Sequence, residues 1–168
     1  ALPPLGEQRQ IAEVLRWANR AGDHLLTCID AVRRLIPSLS FSAFTALHSN
    51  DRIPKLPLAD LLTENISNGV FRKQEQFGTG TRMINVSDVY LDFEVPTDNL
   101  DRVPISESEY ESFSAKPGDV IFNRSSLVLS GIGHVCLVPD VGEKLVFECH
   151  LMRGRPNPQK LNSRFLTH

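Results

Sequence analysis

The segment Lys116-Pro117-Gly118-Asp119-Val120-Ile121-Phe122-Asn123-Arg124-Ser125-Ser126 sets three apolar residues behind a Pro-Gly turn and follows them with four polar ones. Three consecutive apolar positions predict a strand buried on both faces. Asn123, Arg124, Ser125 and Ser126 then emerge into a loop that returns through Ser130-Gly131-Ile132-Gly133 to the next strand. Binding residues tend to sit on loops held by rigid strands, so these groups are candidate donors to a ligand, with a solvated hairpin turn as the plain alternative. His134 and Cys136 on one strand face, with Cys149-His150 on another strand, offer the donor types of a zinc site but not its tight Cys-x-x-Cys spacing. Cysteine in a strand is usually a small buried hydrophobe, and no metal is expected. Gly78-Thr79-Gly80-Thr81 has the glycines of a phosphate loop without the Gly-Lys-Ser/Thr ending or a clear strand-to-helix setting. A Gly-x-Ser-x-Gly elbow and a convincing Ser, His and Asp set are both missing, so hydrolase chemistry has no support and no cofactor is expected.

Charge narrows the partners further. Eighteen Lys plus Arg against 20 Asp plus Glu leave a formal net charge of -2, so any surface for nucleic acid must be local. From Asp88 to Glu111 eight acids face Arg102 alone, a stretch expected to avoid phosphate. Arg72, Lys73 and Arg82 form one candidate basic surface, and Arg153, Arg155, Lys160 and Arg164 form another. No apolar run approaches the roughly 20 residues of a membrane span. Three widely spaced cysteines, Cys28, Cys136 and Cys149, with no secretory signal before them, point to a soluble chain in a reducing cytoplasm. A first residue of Ala rather than Met suggests a processed chain or a fragment.

These side chains need a scaffold, and the clearest element is N-terminal. Ile11, Leu15, Ala18, Gly22, Leu25, Ile29, Val32, Ile36, Leu39 and Ala43 recur in steps of four and three, a heptad seam that predicts a long helix meant to pair with another helix. Pro3 and Pro4 suit its start and Glu7 its first turn, while Pro37 predicts a kink. An amphipathic helix lying on the chain's own domain is the alternative. The whole chain thus reads as a helical region over 1–47, a linker over 48–55 and a domain over 56–168. In that domain the residues predict a short helix from Pro57 to Leu62, with Pro57 at its first position. Strands are expected at Met83 to Val86, Val120 to Phe122, His134 to Val138, Lys144 to Phe147 and Cys149 to Arg153. A helix from Ser106 to Phe113 carries the capping-box spacing of Ser106 and Glu109, and a terminal helix is expected over Asn157 to Leu166.

The opening Leu2-Pro3-Pro4-Leu5-Gly6-Glu7-Gln8-Arg9-Gln10-Ile11-Ala12-Glu13-Val14-Leu15 resembles the conserved region of the specificity subunit of type I restriction-modification enzymes, where a Pro-Pro-Leu-x-Glu-Gln segment leads into a long spacer helix. Ile36-Pro37-Ser38-Leu39 and Ala43-Phe44 resemble that helix's ending. The order of Ile66-Ser67-Asn68-Gly69, Gly78 to Gly80, Ile84-Asn85-Val86-Ser87-Asp88-Val89, Lys116 to Phe122 and Gly131-Ile132-Gly133 is similar to the family's target recognition domain. The resemblance implies an α+β fold, a coiled-coil spacer helix followed by a mixed-sheet recognition domain. It further implies a non-catalytic subunit that reads one half of a split site in double-stranded DNA, while the methyltransferase subunit and, through it, the restriction subunit do the chemistry. The chain stops at His168 without the second such segment and helix, so the resemblance implies a truncated piece.

On that reading Arg124, Arg82, Asn123 and Asn85 are the candidates for base contact, because Arg reads guanine and Asn adenine best. Thr79, Thr81, Ser125 and Ser126 are donors to phosphate or base, and Arg72 and Lys73 neutralise phosphate. The unpaired seam predicts a homodimer through the helix. The rival is a coiled-coil oligomerisation module carrying a protein-binding, β-rich domain.

Overall fold

The structure, a computed structural model, describes residues 2–90, 93–126 and 131–167, without the side chains of Arg33 and Ile36. It therefore leaves Ile36 of the seam, Asp92 of the acidic stretch and Ser130 of the loop outside the described residues. The chain divides into two compact units, Ala1–Pro54 and Lys55–His168.

The first unit is built on α1, Leu5–His48, a helix of 44 residues and roughly 65 Å at 1.5 Å per residue. Pro4 stands at its N-cap and Glu7 lies in its first turn, where the free amide groups favour an anion. Pro37 stands inside the helix, which continues through it. Thr27, Ser42 and Thr45 turn their hydroxyls back onto the carbonyls of Asp23, Ser38 and Phe41 at 2.7–2.9 Å, satisfying polar groups within the helix itself. Ile11, Leu15, Leu25, Ile29, Val32 and Leu39 are all exposed. Among the described residues no helix is long and apolar enough to cross a membrane.

The second unit holds two sheets. β1 (Ser67–Asn68), β7 (Leu151–Gly154), β4 (Val120–Asn123) and β5 (Val135–Leu137) pair in that order, each antiparallel to its neighbour. The other sheet runs β3 (Asp101–Val103), β2 (Thr81–Ile84), β6 (Leu145–Phe147); β2 is antiparallel to β3 and parallel to β6, which makes the sheet mixed. Ile84, Val89, Ile121, Cys136, Leu145, Phe147 and Leu151 form the main core, joining residues of both sheets, and Val70, Met83, Val103 and Val146 form a second cluster.

Several boundaries differ from the expectation for local reasons. The strand expected to reach Val86 stops at Ile84, because Asn85 caps the short helix α2, Val86–Val89, with its amide donating to Asp88 Oδ2 at 2.8 Å. Pro57 precedes a 3₁₀ turn at Leu58–Leu61 rather than opening an α-helix. Cys149 and His150 fall outside β7, in a turn drawn together by the Glu148 carboxylate. The terminal helix shrinks to α4, Ser163–Leu166, because Asn157 closes a turn onto Gln159 at 3.0 Å and Asn162 caps the helix through Phe165 N. α3, Glu107–Phe113, keeps its expected capping box: Ser106 Oγ accepts from Glu109 N, and Glu109 Oε2 accepts from Ser106 N.

Gly69 sits where β1 passes over β6, and an added Cβ would lie 2.1 Å from the Phe147 carbonyl oxygen. Backbone cannot yield as a side chain tip can, so Gly69→Ala is expected to cost about 2–3 kcal/mol by urea unfolding; an unchanged midpoint contradicts this packing. Glu109 generates the second expectation. The Ser106 amide, then Arg72 at 2.6 Å and the Ser106 hydroxyl, hold its carboxyl down to about 2 from the ordinary 4.5. A carboxyl depressed by folding stabilises above its unfolded value and loses that contribution as pH falls through its folded one. Glu109→Gln should therefore lower Tm at pH 7, with the gap to wild type closing between about pH 4.5 and 2. A gap that persists across that window would contradict the assignment.

Candidate nucleic-acid interface

The hairpin expected around Val120 to Phe122 is present as β4 and β5, with Val120 opposite Leu137 and Phe122 opposite Val135. Val120 and Ile121 are fully buried and fix the strand, but the polar residues after it do not all emerge. Asn123 is 0% exposed, which corrects its expected place on the surface. A buried carboxamide must be hydrogen-bonded, and this one donates from Nδ2 to the Gly131 carbonyl at 2.8 Å and to the Tyr90 hydroxyl. Ser126 is half-buried, 3.3 Å from the same hydroxyl. Arg124 and Ser125 are exposed. The Arg124 amide donates to His150 O at 3.2 Å, and the Ser125 amide to Asn123 Oδ1 at 3.2 Å.

Beside Arg124 lies the turn Glu148–Cys149–His150. One carboxylate gathers it: Glu148 Oε2 accepts from the His150 amide at 2.9 Å, while Glu148 Oε1 lies 2.6 Å from His150 Nδ1 and 3.1 Å from Cys149 Sγ. Burial, with Glu148 next to it, pushes the Cys149 thiol up to about 11, so the sulfur is protonated at neutral pH. The three donor atoms lie within 4.8 Å of one another. The four-residue zinc set weighed from the sequence does not assemble. Cys136 is buried opposite Ile121, and His134 packs its ring 5.2 Å from that of Tyr90.

Ion pairing reshapes the two basic stretches. Arg153 is buried, donating to Glu64 Oε1 at 2.7 Å and to the Ser114 carbonyl. Arg155 makes two bonds to Asp119, at 2.7 and 2.8 Å, and also reaches Glu64. Burial pulls the Arg153 guanidinium below its ordinary value, whereas the hydrogen-bonded Asp119 carboxylate raises that of Arg155. Lys160 binds the Asp60 carbonyl at 3.0 Å and Arg164 binds Glu94. The stretch expected to be a basic surface is therefore an internal network with two cations at its rim. Arg72 is mostly covered, bound to Glu109 and, at 3.1 Å, to the Pro104 carbonyl. Arg82 pairs with Glu143 at 3.2 Å, an acid it shares with Arg102, and donates to Thr97 O. Acids of the 88–111 stretch, Glu94, Glu107 and Glu109, pair with Arg164, Lys144 and Arg72.

The other candidates lie on the β2 side. Lys73 and Thr79 are exposed, and Thr81 is half-buried at the start of β2. The glycine segment 78–81 thus opens a strand and not a helix. Asn85 Nδ2 donates to Asp101 Oδ2 at 2.9 Å. Among the described residues of the second unit, Lys55, Lys73, Lys116 and Arg124 are the cations with neither an ion pair nor a hydrogen bond from the side chain. Tyr90 was invisible as a site residue in the sequence, because a lone aromatic after a valine signals only packing. On α1, Trp17 and Leu35 are exposed about 100° round from the seam's centre at helical spacing, outside the heptad positions.

No family model and no curated protein matches this chain. Among solved structures it is similar to a chain from a type I R-M system described for its complex assembly and conformational transition, at 21% identity and a TM-score of 0.48. It is also similar to the HsdS subunit from Thermoanaerobacter tengcongensis, at 18% identity and a TM-score of 0.48. In both cases the similarity covers 96% of this chain, which spans 40% of the other.

Proposed function

We propose that this chain is a DNA-specificity component of a type I restriction-modification system. It reads one half of a bipartite duplex site and carries no chemistry of its own. The methyltransferase subunit docks partly on α1, and the restriction subunit acts through it, in the cytoplasm. The observation that carries DNA reading is Arg124: an exposed guanidinium without an ion pair among the described residues, at the end of a buried strand, in a unit whose other arginines are paired. Guanidinium groups read guanine edges bidentately, provided they are free and held in position. Ser125, Lys73, Thr79 and Thr81 are exposed or half-exposed and remain candidates for phosphate or base. Asn123, Arg72 and Asn85 have structural partners, so the proposal moves away from them.

For α1 the supporting observation is its row of exposed apolar side chains, each worth about 1.5–3 kcal/mol when fully buried. Trp17 and Leu35 widen that row beyond what one partner helix covers, leaving apolar surface for the methyltransferase subunit. A protein-binding module on a coiled coil is the second reading, and the pairing of most cations in the second unit favours it.

The proposal is tested by selecting from a pool of random duplexes, with and without the methyltransferase subunit, and sequencing the bound fraction. A short enriched half-site is expected, and Arg124→Ala should reduce its excess over random duplex about tenfold with little loss of total affinity. Equal losses on enriched and random duplexes would make Arg124 a phosphate contact, and no binding in either condition would favour the protein-binding module. In sedimentation the wild type is expected to self-associate and Leu25→Asp with Ile29→Asp to give a monomer. A wild type already monomeric at micromolar concentration contradicts the paired helix.

A further inference from the structure

We infer that Tyr90 and Asn123 are positioning residues for the Arg124–Ser125 turn, a role that rests on the DNA-reading proposal and makes the Tyr90 hydroxyl the peg on which that turn is fixed. Tyr90 follows α2, whose Val89 is buried in the main core, so its ring starts from a fixed base. Its hydroxyl accepts from Asn123 Nδ2 and has the Gly131 carbonyl at 3.2 Å and Ser126 Oγ at 3.3 Å for its own proton. The second Nδ2 proton of Asn123 goes to the Gly131 carbonyl, and Oδ1 accepts the Ser125 amide. On the backbone, the Asn123 amide donates to His134 O and the Gly133 amide to Asn123 O, both at 2.8 Å. Both ends of the loop after β4 are thus tied to one buried side chain and one phenol.

Glycine at 131 belongs to the same device. A Cβ there would stand 2.3 Å from both the Tyr90 hydroxyl and Ser126 Oγ, so a larger residue at 131 would push these two side chains out of their present places. Arg124 is the residue directly after this clamp, and its own amide is held by His150 O. A guanidinium that must match two acceptors on a base edge is sensitive to where its backbone stands, whereas a contact to phosphate is not. The clamp should therefore govern discrimination between sequences and leave overall affinity alone.

Tyr90→Phe removes the hydroxyl and keeps the ring. The test follows amide hydrogen exchange in free wild type and variant, together with selection from random duplexes by each. Exchange at the Ser125 and Gly133 amides should rise about tenfold as local opening becomes easier. The enriched half-site should lose about tenfold of its excess over random duplex, with random-duplex affinity close to wild type and Tm lower by a few degrees, as the loss of one buried hydrogen bond requires. Unchanged exchange at those two amides overturns the clamp whatever happens on DNA. Faster exchange with wild-type enrichment overturns its role in recognition. A wild type that enriches no sequence overturns the DNA-reading proposal and this role with it, while the exchange arm still reports separately whether the clamp exists.

Discussion

The pairing of buried Arg153 and half-buried Arg155 with buried Asp119 and the more exposed Glu64 is the constraint on which the second unit depends. Arg153 lies on β7 between β1 and β4, its guanidinium covered on all sides and stacked 5.7 Å from the Phe147 ring. A charge in such a place is tolerated only with a partner, and removing one partner of a buried pair costs about 3–5 kcal/mol. Glu64 comes from the segment before β1 and Asp119 from the turn before β4, so the pairing joins segments far apart in the chain. Arg153 Nε and Ser67 Oγ, on residues opposite each other in the β1–β7 ladder, are buried without a hydrogen-bond partner among the described residues. That shortfall makes the remaining bonds to Glu64 and Ser114 matter more.

This constraint reaches function through what it withholds. A chain of net charge -2 has little positive field to offer phosphate, and the pairing removes Arg153 and Arg155 from even that small supply. Binding on such a surface leans on a few placed donors and not on bulk attraction. Arg124 escapes the pairing, while the β-hairpin and the Tyr90–Asn123 clamp hold its backbone still. The helical unit poses the opposite physical problem. Its charges are solvated and the described apolar side chains of its seam are bare, so burying them against another surface would be favourable.

How much of this was legible follows from the range of each signal. The helix was legible because a 3.5-residue repeat is local and sustained, and the capping box of Ser106 and Glu109 because its residues are three apart. Strands β4, β5 and β6 were found within a residue or two from short apolar runs. The end of β2 and the turn before β7 were misjudged, since Asn85 and Glu148 impose local hydrogen bonds that override hydrophobic pattern. The ionic partners were not legible at all. Arg153 and Glu64 are 89 residues apart, and nothing local distinguishes a buried arginine from one on a surface. For the same reason Asn123 read as a surface donor: its burial depends on Tyr90, 33 residues earlier.

On the proposed DNA-reading function, recognition by the second unit runs on a few cations that are unpaired among the described residues, Arg124 foremost, because the other arginines are paired. The most direct measurement is the salt dependence of binding to random duplex, from about 50 to 200 mM salt, expressed per protomer. With Lys55, Lys73, Lys116 and Arg124 as the available cations, the log–log slope should be no steeper than about −4. A slope of about −8 or steeper would mean that cations beyond these four contact phosphate, and would contradict the account.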